Sequence, residues 1–284
     1  MERLQNALHR AREKRGEAAE STMRTAKPRS GGGGGGNSAE IAARWEALKP
    51  FTPNPRALQQ TRVVSYFGKQ QATPFDLMRT KVVQQCKAKG WKRLVVTSAT
   101  PKCGKTTVTA NLSFSLARQT DLRIMVIELD LRRPSLAKVL GLKEPHYFAK
   151  VLAGEERAED HLVCHGGNLA FGTNLAAEAN SSELLQSIKT RETLQALEEY
   201  YKPDLTIFDT APLLASDDTI GFLEYVDAAL LIAAAEQTTI EELDVAESEV
   251  SEMTEVMGVV LNKCRYSAGG YGYEYGYGYG YGQY

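Results

Sequence analysis

The most specific chemical pattern in the sequence is SATPKCGKTT at residues 98–107, between a predicted strand and a predicted helix. That setting is typical of a phosphate-binding loop, whose backbone N–H groups bind phosphate oxygens. Gly104 would let the backbone approach closely, Lys105 would reach the β- and γ-phosphates, and Thr106 would offer a hydroxyl to Mg²⁺. Ala99 replaces the first glycine of GxxxxGK[ST], and a residue this small still permits the turn. We therefore expect ATP to be bound by Thr100, Pro101, Lys102, Cys103, Gly104, Lys105, Thr106 and Thr107.

Two other apolar stretches end in carboxylates. Residues 124–134 read IMVIELDLRRP, and alternation along a strand puts Glu128 and Asp130 on one side at its carboxyl end. Residues 205–212 read LTIFDTAP, where Asp209 matches the Walker B pattern, whose acid holds Mg²⁺ directly or through water. Ligands of open parallel sheets bind at this edge, and carboxylates there can hold metal or accept a proton. The expected catalytic residues are Lys105, Glu128, Asp130 and Asp209, and the expected Mg²⁺ ligands are Thr106, Asp130 and Asp209.

The last predicted strand leads into two residues that could contact a nucleotide base. The stretch at 259–265 reads VVLNKCR. The amide of Asn262 could hydrogen-bond the adenine edge, and the guanidinium of Arg265 could stack on it. A simple turn at the end of a strand accounts for the same residues equally well.

Short β-branched runs alternate with helical stretches through the middle of the chain. The predicted strands are 93–98, 123–129, 169–172, 205–208, 228–233 and 256–261. The predicted helices are 74–89, 105–119, 135–140, 182–200 and 239–254. Continuously apolar strands alternating with helices predict an α/β fold of the P-loop NTPase type, with a mostly parallel sheet covered by helices on both faces.

The composition excludes several classes of protein. The chain has 284 residues, of which 43% are hydrophobic, and 34 Lys and Arg oppose 35 Asp and Glu, so the net charge of −1 argues against a nucleic-acid partner. No apolar run approaches the roughly 18–20 residues of a membrane span, and the amino terminus lacks the apolar core of a signal peptide. The four cysteines form no CxxC pair, which disfavours a disulfide scaffold or zinc site and fits a reducing cytosol.

Three segments differ in composition. Residues 1–56 contain six consecutive glycines at 31–36 and are predicted to be a flexible basic segment, either a solvated tail or a docking segment for an acidic partner or membrane surface. Residues 57–265 form the predicted folded domain. Residues 266–284 alternate Gly with Tyr and are expected to be disordered, because such a sequence cannot build a packed core.

Taken together, these motifs resemble those of the bacterial tyrosine kinases, a family of cytoplasmic autokinases tied to polysaccharide synthesis and export. The resemblance covers residues 60–284. Pro101 matches the proline that the family places three residues before the glycine of GK. The family's DxDxR motif appears at 128–132, with Glu128 in its first position, and its DxxP motif appears at 209–212.

The resemblance implies phosphorylation of the chain's own tail, with ATP and Mg²⁺ as cofactors, between protomers of a homo-oligomer. Either Glu128 or Asp130 would accept the tyrosine proton. The family's subunit-contact motif, ExxRxxR, survives as Asp76 and Arg79, with Val82 in place of the second arginine. The implied phosphoacceptors are Tyr266, Tyr271, Tyr273, Tyr275, Tyr277, Tyr279, Tyr281 and Tyr284.

The resemblance also implies a partner and a location. Since the chain carries no predicted membrane span of its own, a separate transmembrane protein of the polysaccharide-copolymerase type would activate it. The protein would then be cytoplasmic and recruited to the inner face of the cell membrane.

Two other functions fit the same sequence. A partition or positioning ATPase of the ParA/MinD type would share the fold, but its signature lysine, five residues before the GK lysine, is Thr100 here. A nucleotide-binding assembly protein without useful turnover would use the tail as an adhesive. Within the loop, Cys103 is either a small space-filling residue or a thiol of lowered pKa at a helix amino terminus.

Overall fold

The structure, a computed structural model, describes residues 35–264, with side chains from residue 38 onward. The described residues from Glu40 on belong to one compact unit. The predictions made for 1–34 and for 265–284, which include Arg265 and all eight tail tyrosines, lie outside the described residues.

The described helices and strands alternate along the chain. The helices are α1 (Gly35–Glu46), α2 (Pro55–Gln60), α3 (Thr73–Lys89), α4 (Lys105–Ala117), α5 (Leu136–Leu140), α6 (Phe148–Leu152), α7 (Ala158–His161), α8 (Ser181–Gln186), α9 (Ile188–Tyr201) and α10 (Ile240–Met253). The strands are β1 (Lys49–Pro50), β2 (Arg93–Thr97), β3 (Ile124–Glu128), β4 (Leu162–His165), β5 (Leu169–Gly172), β6 (Leu205–Asp209), β7 (Ala228–Ala234) and β8 (Glu255–Asn262).

All eight strands belong to one sheet with the order β1-β4-β5-β3-β6-β2-β7-β8. Neighbouring strands are parallel except for β4 and β5, which run antiparallel. The carboxyl ends of β3, β6 and β2 therefore meet at one edge of the sheet, which is where a parallel sheet binds its ligands.

Helices cover both faces of this sheet, so the predicted fold class is confirmed. Within β2, Leu94 and Val96 join one hydrophobic core, which also contains Val82 of α3 and Leu112 of α4. Val95 points to the opposite core, together with residues of α1, α6, α9 and α10. This alternation is the period of two that an extended strand imposes, and burial on both faces is why the strands are continuously apolar.

The folded part begins earlier in the chain than the predicted boundary at residue 57. Trp45 is only 1% exposed and donates its indole N–H to the carbonyl of Tyr201 at 2.7 Å. Leu48 and Phe51 are also buried. The prediction that 1–56 is a flexible segment is therefore wrong for residues from α1 onward, because three large apolar side chains there complete the two cores.

The helix predicted at 182–200 is two helices. Ser187 separates them with an extended ψ of 145°, and its hydroxyl accepts the N–H of Thr190 at 3.0 Å as the cap of α9. Serine is a preferred residue at the amino-terminal cap of a helix. Its capping bond to Thr190 therefore favours a new helix start at this position over continuation of the preceding helix. The short elements β1, β4, α2, α6 and α7 were not predicted, since none is long enough to show a period in its sequence.

Candidate active site

The predicted phosphate loop lies between β2 and α4. Lys102 has φ of 66° and Gly104 has φ of 90°, both in the left-handed region. A β-carbon at position 104 would lie 2.4 Å from Nδ2 of Asn262. Glycine is therefore required there by the backbone conformation and by the close approach of Asn262.

The loop is fixed to its neighbours through backbone atoms. The carbonyls of Ser98 and Ala99 accept the N–H groups of Leu213 and Leu214 at 2.9 and 3.0 Å. On the other side, Asn262 Nδ2 donates to the carbonyl of Cys103 at 2.8 Å. The segment after β6 and the end of β8 thus hold the loop between them.

A cavity of about 390 Å³ opens at this edge of the sheet. Three segments line it: the phosphate loop with the start of α4, the turn after β3, and the turn after β6. The predicted site residues that line the cavity are Pro101, Lys102, Gly104, Lys105, Thr106, Thr107 and Asp130.

Asp130 and Asp209 are held together by backbone hydrogen bonds. The N–H groups of Leu129 and Asp130 both donate to the carbonyl of Asp209, at 2.7 and 3.0 Å. Asp209 is fully buried and accepts the hydroxyl of Thr109 at 3.2 Å on Oδ1. Its Oδ2 is buried and has no hydrogen-bond partner among the described residues.

Burial changes the acidity of both aspartates. It raises the pKa of Asp209 to about 6, although the charge of Lys105 opposes the change. Burial also raises the pKa of Asp130, again against Lys105. A cation bound beside them would stabilise the charged carboxylates and so lower both pKa values.

The oxygen donors at this edge fit Mg²⁺. Asp130 and Asp209 offer carboxylates, and the Thr106 hydroxyl lies 3.0 Å from the hydroxyl of Ser135. No group of three or more His, Cys, Asp or Glu poised to hold a metal occurs within residues 38–264. Mg²⁺ in nucleotide sites needs only one or two carboxylates, because phosphates and water complete its octahedron.

Glu128 is buried and does not line this cavity. Its Oε1 accepts the N–H groups of Ser135 and Leu136 at 2.5 and 2.6 Å, and its Oε2 accepts the N–H of Asn174 at 2.9 Å. Burial raises its pKa to about 8, although the bonds from Leu136 and Asn174 lower it. Both of its oxygens accept backbone amides, so Glu128 positions the turn after β3. Its predicted part in catalysis stays a prediction.

Sequence reasoning did not single out an ion pair at the rim of the cavity. Arg132 donates from Nε and Nη2 to the two oxygens of Asp218, at 2.9 and 3.0 Å. Asp218 is fully buried and also accepts the hydroxyl of Ser181 at 2.8 Å. Arg132 belongs to the DxDxR motif, but no sequence pattern around Asp218 predicts that this aspartate pairs with Arg132.

The remaining predicted site residues make contacts within the chain. Asp76 pairs with Arg118 and accepts the Ser115 hydroxyl at 2.6 Å, and Arg79 donates to the Ser115 carbonyl at 3.0 Å. Both form part of the contact between α3 and α4, and their role between subunits stays a prediction. Contact of Asn262 with adenine also stays a prediction.

Cys103 is buried beneath the loop, with 1% of its surface exposed. Burial alone would raise the pKa of its thiol, but hydrogen bonds with Thr238 and Thr100 and the charge of Lys105 lower it overall. Its Sγ lies 3.5 Å from the hydroxyl of Thr238 and donates to the carbonyl of Thr100 at 3.2 Å. The side chain packs the loop, as the space-filling interpretation expects, and its lowered pKa is what the alternative expects. Reactivity of the thiol stays a prediction.

Comparison with known proteins places this geometry in a family. Residues 94–271 match the CobQ/CobB/MinD/ParA nucleotide binding domain family, to which the chain belongs. Tyrosine-protein kinase ptk of Acinetobacter johnsonii is 32% identical over 182 residues, which are 63% of this chain and 24% of that protein. The kinase domain of the Escherichia coli tyrosine kinase ETK matches with a TM-score of 0.56 and 29% identity, over 64% of this chain and 72% of that one.

The chain is a member of the bacterial tyrosine kinase family. The kinase domain of VpsO supports the same assignment, with a TM-score of 0.62 and 26% identity over 72% of this chain and 98% of that one. This family member spans about a quarter of the length of the curated relatives it matches. Within its described part, no helix combines the length and apolar character needed to cross a membrane.

Proposed function

We propose that the protein is an ATP-dependent tyrosine autokinase that phosphorylates the tyrosines of its own carboxyl-terminal segment. The supporting observation is that Lys105, Thr106 and Asp130 line one cavity, and that the buried Asp209 is hydrogen-bonded through its carbonyl to the N–H of Asp130, in a chain whose relatives are named tyrosine-protein kinases. The same residues suit any nucleotide-driven phosphoryl transfer, and the names of the relatives select tyrosine as the acceptor.

Charge determines the role of each residue. The transferred phosphoryl group spreads negative charge over its oxygens, so the loop amides and Lys105 would stabilise the transition state. Thr106, Asp130 and Asp209 would hold Mg²⁺, which neutralises phosphate charge when bound. Of the two carboxylates considered as proton acceptor, Asp130 lines the cavity and Glu128 does not, so we assign that role to Asp130.

The wider setting follows from the family resemblance. The acceptors would be the eight tyrosines from Tyr266 to Tyr284, and the pathway would be exopolysaccharide or capsule synthesis and export. A separate transmembrane protein of the copolymerase type would activate the kinase at the inner face of the membrane, with the protein itself cytoplasmic.

Transfer from γ-³²P-labelled ATP tests the proposal. The purified chain, supplied with Mg²⁺ and a candidate membrane activator, should acquire acid-stable label on tyrosine. Lys105→Met should abolish that label, and a truncation after Ala268, which removes seven of the eight acceptor tyrosines, should remove most of it. Lys87→Met, which removes an exposed lysine of α3, is the matched control and should leave it unchanged.

The same assay separates the alternatives. Phosphate released to solution without labelled tyrosine would indicate a positioning ATPase. Nucleotide binding without either product, together with self-association that survives Lys105→Met, would indicate an assembly protein. Each of these results would overturn the kinase proposal.

A further inference from the structure

The ion pair between Arg132 and Asp218 joins the turn after β3 to the segment after β6, and both of these segments line the cavity. Arg132 follows Asp130 by two residues, and Asp218 follows Asp209 by nine. Resting on the proposed kinase function, we infer that Asp218 is a positioning residue, which holds the Arg132 guanidinium where it stabilises the phosphoryl group during transfer.

The carboxylate of Asp218 is fully buried and accepts three hydrogen bonds. Its Oδ2 accepts Nε of Arg132 at 2.9 Å and the hydroxyl of Ser181 at 2.8 Å, and its Oδ1 accepts Nη2 of Arg132 at 3.0 Å. Two parallel N–H···O bonds fix the plane of a guanidinium as well as its position. Arg132 therefore cannot rotate away without leaving a buried charge unpaired, which is strongly unfavourable.

The backbone that carries Asp218 is itself held in place. The hydroxyl of the buried Thr219 donates to the carbonyl of Ala211 at 2.8 Å, and the same carbonyl accepts the hydroxyl of Thr97 at 2.9 Å. Thr97 is the last residue of β2, the strand that leads into the phosphate loop, and Ser181 is the first residue of α8. Asp218 is thus fixed relative to the phosphate loop by contacts with two other elements.

Arg132 lines the same cavity as Lys105 and Asp130, and 46% of its side chain is exposed. A guanidinium carries five N–H donors, of which Asp218 takes two. The other carboxylate near Arg132 in the described part of the chain is Asp217, whose Oδ1 lies 3.9 Å from Nη2, too far for a hydrogen bond. N–H donors of Arg132 are therefore left for oxygens of a ligand in the cavity.

The chemistry of transfer gives a fixed guanidinium a role. The tyrosine oxygen bonds to the γ-phosphorus, the bond from this phosphorus to the bridging oxygen breaks and leaves its electron pair on ADP, and Asp130 takes the phenolic proton. Negative charge spreads over the oxygens of the transferred group, and a guanidinium matches their geometry with paired N–H donors. A cation that is aligned beforehand stabilises this charge without reorganisation.

The rates of variants give the first test. Arg132→Ala should lower the rate of tyrosine labelling at saturating Mg²⁺–ATP by about 10²–10³-fold. Asp218→Asn keeps the guanidinium but loses its alignment, and should lower this rate by about tenfold or more while the KM for ATP changes less than about threefold. Asp217→Asn, at a side chain 69% exposed, is the matched control and should change the rate less than about twofold.

Thermal unfolding with and without Mg²⁺–ADP accompanies these rates and shows whether each variant is folded and binds nucleotide. Asp218 would be a structural residue alone if Asp218→Asn lowered the thermal midpoint while its folded molecules labelled tyrosine at the parent rate. That result would overturn the inference and leave the kinase function intact. A parent chain that never labels tyrosine would overturn both.

Rescue by free guanidinium gives the second test, which does not depend on the folding of Asp218→Asn. In Arg132→Ala, millimolar guanidinium chloride should bind at Asp218 and raise the labelling rate by about tenfold or more, whereas sodium chloride at equal ionic strength should not. The double variant Arg132→Ala/Asp218→Asn leaves no buried charge unpaired, and without the carboxylate it should gain less than about twofold. Equal rescue of both variants, or rescue of neither, would overturn the role of Asp218.

Discussion

Two carboxylates, two residues apart, have different environments at this site. Glu128 is fully buried and accepts three backbone N–H groups, whereas Asp130 lines the cavity beside Lys105. A group that acts on a substrate must reach it. The two carboxylates therefore differ in access to the cavity, and this difference is the reason for proposing Asp130 as the proton acceptor.

Substitution of each carboxylate by its amide separates the two roles. Asp130→Asn should lower kcat for tyrosine labelling by about 10²–10⁴-fold with little change in the free energy of unfolding. Glu128→Gln puts an NH₂ group against the N–H of Asn174 or of the α5 turn, and should cost about 1–3 kcal/mol of stability while kcat falls less than tenfold. Steady-state kinetics and urea unfolding measure both. The reverse pattern would restore Glu128 as the proton acceptor.

Asn262 allows a second test at the level of a residue. Asn262→Ala removes the hydrogen bond to the Cys103 carbonyl, which should weaken nucleotide binding by about 1 kcal/mol, or roughly fivefold. If Asn262 acts by holding the loop, the affinities of the protein for ATP and for GTP should fall equally. A loss confined to ATP would indicate contact with adenine. The neighbouring Leu261→Ala, at a side chain 62% exposed, is the control for both nucleotides.

Among the elements, α1 is an integral part of the fold. Trp45 is 1% exposed, contacts the ring of Tyr201 edge to face at 6.2 Å between centroids, and bonds its carbonyl. Trp45→Ala should therefore cost about 3–5 kcal/mol in the free energy of unfolding. Ile188→Ala, at a side chain 75% exposed, should change it by less than about 0.5 kcal/mol. Equal effects in urea unfolding would argue that α1 contributes nothing to the core.

The elements also show what sequence alone can predict. Six of the eight strands, together with α3, α4 and α10, were predicted nearly to the residue, because a strand buried on both faces is continuously apolar and these helices are long. The segment at β4 was missed because its four residues, LVCH, have no period and pair antiparallel with β5. The phosphate loop was recognisable from its spacing, whereas the Arg132–Asp218 pair joins residues 86 positions apart.

The turn between α5 and α6 should make stability depend on pH. His146 is 2% exposed, and burial lowers its pKa, with smaller effects in the same direction from Lys49 and His161 and an opposing one from Glu144. The unfolded chain therefore takes up a proton near pH 6.5, at which the folded chain does not, so the free energy of unfolding falls as the pH drops below that value.

The maximum slope from one such group is about 1.4 kcal/mol per pH unit. His146→Gln cannot titrate and should lose this contribution, which urea unfolding at pH 7.5, 6.5 and 5.5 measures. His9→Gln, in the segment outside the described residues, is the matched control and should keep the parent slope. An unchanged slope in His146→Gln would contradict the assignment to His146.

At the scale of the whole molecule, the sheet order brings the separate parts of the site together. β2 supplies the phosphate loop, β6 supplies Asp209, and β3 supplies Asp130, and these three strands are neighbours. β8 lies on the other side of β2 and returns the chain to the loop through Asn262. One edge of one sheet thus carries the phosphate loop, the proposed metal ligands and the end of β8.

Thermal unfolding of the whole chain can measure nucleotide binding separately from phosphoryl transfer. A ligand that binds only the folded state adds about 2.7 kcal/mol to the free energy of unfolding when its concentration is a hundredfold above its Kd. For a domain of this size, that gain raises the thermal midpoint by roughly 5–11 °C. Mg²⁺–ADP should produce this rise, since no phosphate can be transferred from it to tyrosine. Asp209→Asn should lose most of the rise in midpoint that depends on Mg²⁺, because it replaces a proposed metal-binding carboxylate by a neutral amide. A rise that is the same with Mg²⁺ and with EDTA would contradict the proposed metal ligands, even if tyrosine labelling is observed.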